Sequence, residues 1–116
     1  MRSSISVCLN FDNDEQGNTI FVLKIQEQNW ELNICMTRHE LALIPDVRTA
    51  NWNQRGSMPI GKCAGLPAFW SREDGKLSIL VGQDDESWDF GVTMSEAVID
   101  NMITEIKTAR EQLSQK

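Results

Sequence analysis

Residues 19–37, TIFVLKIQEQNWELNICMT, decide how the chain is to be read. Phe21, Leu23 and Ile25 fall on every second position up to Gln26. The polar triplet Glu27-Gln28-Asn29 interrupts, and then Trp30, Leu32, Ile34 and Met36 alternate with Glu31, Asn33, Cys35 and Thr37. A period of two belongs to a strand that buries one face. A connection this short leaves the two strands only an antiparallel pairing. Working back, Ile5, Val7, Leu9 and Phe11 alternate with Ser4, Ser6, Cys8 and Asn10, and the polar run 12–18 reads as a turn. The first third of the chain is therefore a three-stranded meander.

Working forward, the pattern weakens and then returns. Residues 39–44 fit either a fourth strand or a single helical turn, which Pro45 would end in both cases. Residues 46–65 hold Gly56, Pro59, Gly61 and Gly65 and read as an irregular excursion with a short strand around 58–63. Order resumes at 66–71, followed by Glu73-Asp74-Gly75-Lys76, a hairpin turn with Asp-Gly at its centre. Leu77, Ile79 and Val81 make the next strand, 83–86 a second turn, and Trp88, Phe90 and Val92 the last strand. Thr93-Met94-Ser95-Glu96 has the spacing of a helix capping box. Val98, Ile99, Met102, Ile103, Ile106, Ala109 and Leu113 then recur at helical spacing. The fold class that follows is α+β in one domain, 1–116. Its twisted antiparallel sheet has about six to seven strands, with one long C-terminal helix packed on one face.

Charge narrows the choice of partner. The net charge is −6 and the sequence pI about 4.7. Such a surface repels phosphate backbones and anionic membranes and attracts basic proteins. The acidity is regional: residues 77–106 hold seven acids and no Lys or Arg, whereas the remainder has ten acids and eleven bases. The three cysteines, Cys8, Cys35 and Cys63, are odd in number and lack Cys-x-x-Cys spacing, which favours free thiols in a reducing compartment. Residues 1–11 alternate instead of forming the apolar run of a signal peptide, and no stretch has transmembrane length. A cytoplasmic location is the expectation.

The residue types that do chemistry are sparse. His39 is the only histidine, so a Cys–His nucleophile pair would have to use it with a cysteine such as Cys35. Their strand-like setting gives that pair no local geometry. One His and scattered Cys have no zinc spacing, and residues 84–89 lack the glycine and terminal glutamate of a calcium loop. Gly61-Lys62-Cys63-Ala64-Gly65 lacks the Lys-Ser/Thr ending of a phosphate loop. No catalytic residue, metal ligand or cofactor is assigned.

What the sequence does offer is recognition. Four tryptophans, Trp30, Trp52, Trp70 and Trp88, stand in a chain without tyrosine, and Trp is a frequent binding hot spot. Trp30, Trp70 and Trp88 lie in strands and read first as core. Trp52 lies in a polar stretch, 49–55, and reads equally well as core or interface. The second-half features, namely the hairpin 69–81, the acidic turn Gln83-Asp84-Asp85-Glu86, the strand around Trp88 and Phe90 and the helix after Thr93, resemble small bacterial immunity proteins. Those are the cytoplasmic inhibitors of polymorphic and contact-dependent growth-inhibition toxins.

The resemblance implies a protein partner, a cognate toxin, commonly a basic nuclease whose phosphate-binding surface the inhibitor covers. It also implies a binding set of Asp84, Asp85, Glu86, Trp88 and Asp89, with Trp52 as an outlying aromatic and Asp12, Asp14 and Glu15 as supporting acids. The alternative is another acidic binding module, such as a secretion chaperone or a subunit of a larger assembly. A small enzyme using His39 or Cys35 is a third reading.

Overall fold

A computed structural model of the chain describes residues 5–50, 52, 56–84 and 86–114. Seven strands follow one another in a single antiparallel sheet whose spatial order is the sequence order. They are β1 (Ser6–Asn13), β2 (Thr19–Glu27), β3 (Trp30–Met36), β4 (Met58–Cys63), β5 (Leu66–Glu73), β6 (Lys76–Gly82) and β7 (Trp88–Ser95). Two short helices, α1 (Arg38–Leu41) and α2 (Ile44–Thr49), separate β3 from β4, and α3 (Val98–Ser114) follows β7. The expected α+β class and C-terminal helix are found.

Alternation fixes the register. Phe21 stands opposite Phe11 and Met36, Leu23 opposite Leu9 and Ile34, and Ile25 opposite Val7 and Leu32. These rows face one side of the sheet, where they meet Leu41, Ile44 and Val47 of the short helices and Val98, Ile99, Met102 and Ile106 of α3. A one-residue slip would turn every row to solvent, so the hydrophobic pattern excludes it, and the short turns fix the register among the pairings that remain. Two hairpins, Ala64-Gly65 and Asp74-Gly75, have both central residues at positive φ, as the tight turn of type I′ requires.

Three local readings are corrected. Residues 38–41 take the helical of the two expected forms, but Pro45 begins α2 near its first position instead of ending an element, and α2 runs to Thr49 into the stretch expected to be irregular. That is a place where a missing N–H and a fixed φ are favourable. The capping box lies elsewhere than expected. Thr93 to Ser95 belong to β7, and Glu96 turns its carboxylate to Arg72. The same spacing at Thr37 and Glu40 forms the true box at the start of α1. Trp88 is 49% exposed and not core. The expected strand at 58–63 is present, and the helical spacing of α3 holds through Ala109; the Leu113 side chain lies outside the described set.

The sheet is weakest between β3 and β4, where only Cys35 and Lys62 pair. Side chains satisfy the backbone there. Glu40 accepts from the Gly61 N–H at 2.9 Å while its other oxygen accepts from the Thr37 N–H. The fully buried Trp70 donates its indole N–H to the Ile60 carbonyl at 3.0 Å. Buried backbone groups left without partners would cost about 1–3 kcal/mol each, so Glu40 ties β4 across this join while Trp70 secures β4 to β5.

At the margins, α3 runs along β1, and the Leu9 N–H donates to Glu105. Ile5, Glu27 and Trp30 line a small cleft together with Thr93, Met94 and Val98, which shows the sheet coiling back toward its own first strands. On the edge strand β7, Trp88, Asp89, Phe90 and Gly91 are all exposed.

Candidate functional site

The exposed start of β7 and the loop before it form the candidate site. Among the described residues, Trp88 and Phe90 are the two large hydrophobic side chains that stand out to solvent, at 49% and 43% exposure. Their position has a backbone cause. Val81 pairs with Phe90 but Gly82 pairs with Trp88, so β7 holds one extra residue, a bulge at Trp88-Asp89. A Cβ on Gly82 would lie 2.3 Å from the Trp88 Cα and 2.8 Å from the Asp89 nitrogen, so only glycine fits opposite the bulge.

The loop is organised by its first acid. One Asp84 oxygen accepts from the backbone N–H groups of Glu86 and Ser87, an Asx-type turn that fixes the loop's path. Asp84, Glu86 and Asp89 are exposed, and none of the three forms an ion pair among the described residues. Asp85 lies outside the described residues. Carboxylates without an ion-pair partner beside the exposed Trp88 indole suit a partner with both cations and apolar surface, whereas Phe90, opposite Val81, faces the other side of the sheet.

The remaining expected residues are elsewhere. Asp12, Asp14 and Glu15 sit at the end of β1 and in the first turn of the meander, whereas the acidic loop is its sixth. Turns alternate between strand ends, so the two acidic groups lie at opposite ends and toward opposite edges. Asp14 is also engaged, accepting from the backbone N–H groups of Gln16 and Asn18. Trp52 is half-buried against the core and donates its indole N–H to the Val47 carbonyl. Its neighbours at 51 and 53–55 lie outside the described residues.

Sequence reasoning missed Arg72. Its guanidinium donates to the Val47 and Arg48 carbonyls at the end of α2 and pairs through Nε with Glu96 at 2.8 Å. Arg72, Trp52, Ser71 and Gly75 line a cleft of about 560 Å³. A signal was present, because Arg72 continues the inward row of Ala68 and Trp70, and an inward charge needs partners. Phe90 was legible as a strand residue, but nothing in its spacing told that β7 would be an edge.

His39 is exposed on α1 and Cys35 is exposed on β3. Cys63 is half-buried, and desolvation chiefly raises its thiol pKa above the ordinary value, so it stays protonated at neutral pH. Among the described residues no three His, Cys, Asp or Glu side chains gather closely enough to hold a metal ion, and no helix is long and apolar enough to cross a membrane. No family model, curated protein or solved structure matches the chain.

Proposed function

We propose that the protein is an immunity protein that binds and neutralises a basic bacterial toxin in the cytoplasm. The observation behind this reading is the placing of exposed Trp88 beside the acids Asp84, Glu86 and Asp89 on one loop and strand edge, with Phe90 exposed on the opposite side of the same strand. In a monomeric protein such aromatics are ordinarily covered, and their exposure favours a protein partner. The acids set the partner's sign. An acidic loop presents carboxylates where a nuclease would hold phosphates, so occupancy by the inhibitor excludes substrate. The protein then acts by blocking and performs no reaction of its own.

Co-expression tests this directly. Cells producing the toxin encoded beside this gene are expected to survive when the wild-type protein is present. They should lose protection when Trp88→Ala and Phe90→Ala are combined with Asp89→Lys. Death of cells carrying the wild-type protein would refute the reading.

A further inference from the structure

The three helices of the described residues pack on one face of the sheet, so among these residues the other face has no helix over it. Across β4 to β7 that face holds a continuous apolar row. Pro59 stands opposite Phe69, Phe69 opposite Leu80, and Leu80 opposite Gly91. Trp88, opposite Gly82, lies one pair further along on the same face. Phe69 and Leu80 are half-buried and Trp88 is the most exposed. Two glycines shape the end of the row. A Cβ on Gly91 would lie 2.5 Å from the Leu80 Cδ2, so the Leu80 side chain occupies that space and extends the row onto the edge strand. Gly82 opposes the indole's own backbone and offers no side chain to shield it.

Charge divides this face in two. Its β2–β4 half presents Lys24, beside Glu31 at 3.9 Å, and Lys62, opposite Cys35 and Pro67. Its β6–β7 end borders Asp84, Glu86 and Asp89. Glu31 offsets Lys24, and Glu73 offsets Lys76 opposite it at the far end of β5–β6, so a basic partner is drawn to the Trp88 end, where the three acids stand without a nearby base among the described residues. Strand-to-strand addition at β7 is disfavoured, because a bulge with a charged residue is how a sheet edge resists pairing.

We propose that the helix-free face of β5 to β7, centred on Phe69, Leu80 and Trp88, is the docking surface for a basic protein. The Gly82-enforced bulge is the device that turns Trp88 onto it. The partner meets side chains here and leaves the backbone edge unpaired. This rests on the toxin-binding reading above and extends it from the acidic loop to a defined sheet face.

The probe is the purified product of the reading frame beside this gene, titrated calorimetrically against the full chain. Ser78→Lys places a cation within the proposed footprint without touching the core, and Phe69→Ser removes its centre. Each is expected to weaken binding by about tenfold or more. Gly82→Ala should weaken it by displacing Trp88. Asn33→Lys, on the cationic half of the same face, should change affinity less than about twofold. Circular dichroism confirms that each variant is folded. Tight binding that Ser78→Lys and Phe69→Ser leave unchanged would overturn the footprint and spare the toxin reading. No binding by the wild-type chain would overturn both. Self-association of the wild-type chain that Ser78→Lys abolishes would assign the face to a second copy and overturn the proposal.

Discussion

At the scale of single residues, the glycines separate two demands that sequence alone cannot distinguish. Gly17 and Gly61 both have positive φ, at 84° and 77°. A Cβ on Gly17 would meet nothing within 4 Å. One on Gly61 would lie 2.6 Å from Ile34 Cγ2 and 2.8 Å from the Cys35 carbonyl oxygen. Gly17→Ala therefore incurs only the left-handed backbone penalty, about 1–2 kcal/mol. Gly61→Ala adds a clash with backbone at the thinnest join of the sheet and should exceed that by at least about 1–3 kcal/mol. Urea unfolding of the two variants checks this; equal losses would show that β4 yields to the new methyl. The single acceptor that reaches both Gly61 and Thr37, Glu40, makes this join sensitive in a way no propensity scale registers.

At the scale of elements, the packing of α2 against β5 and α3 depends on Arg72. Its guanidinium takes up carbonyls that a helix C-terminus leaves unpaired, and it also binds Glu96 just before α3. Arg48 forms an ion pair with Asp100, but there both side chains are about half exposed. Arg72→Ala is thus expected to lower stability by about 1–3 kcal/mol, since it strands carbonyls and a carboxylate in a part-buried site. Arg48→Ala should cost less than about 1 kcal/mol. Chemical denaturation of both variants measures the difference, and a larger effect for Arg48 would reverse the assignment.

The same elements show what was legible. The alternations through Phe21, Ile34 and Ile79 located strands because each strand buries one face. The helical spacing of Met102 and Ile106 located α3 for the same reason. Pro45 misled because proline both ends and begins helices, and the local sequence does not say which. Thr37 to Glu40 and Thr93 to Glu96 share one capping pattern, and only tertiary pairing of β7 with β6 decided between them. The candidate site was half legible. The acids at 84 to 89 could be read from charge, whereas the exposure of Trp88 depends on Gly82 and the bulge, which no spacing revealed.

At the scale of the whole molecule, charge and aromatic surface should act on different steps of binding. Residues 77–106 hold seven acids without a base, and the field they produce reaches beyond contact distance. Salt shortens that reach, from a Debye length of about 8 Å near physiological ionic strength to about 3 Å at 1 M. The association rate with a basic partner should accordingly fall by about tenfold or more between low and high salt. Trp88 contributes nothing to that long-range field. Its contact forms only once the surfaces meet and water leaves, so Trp88→Ala should raise the dissociation rate and leave association nearly unchanged. Neutralising Asp84, Glu86 and Asp89 together should do the reverse, slowing association and flattening its salt dependence. Stopped-flow fluorescence across a salt series resolves the two rates. A Trp88→Ala effect confined to association would mean that the indole does not enter the interface, and the acidic loop alone would then have to account for recognition.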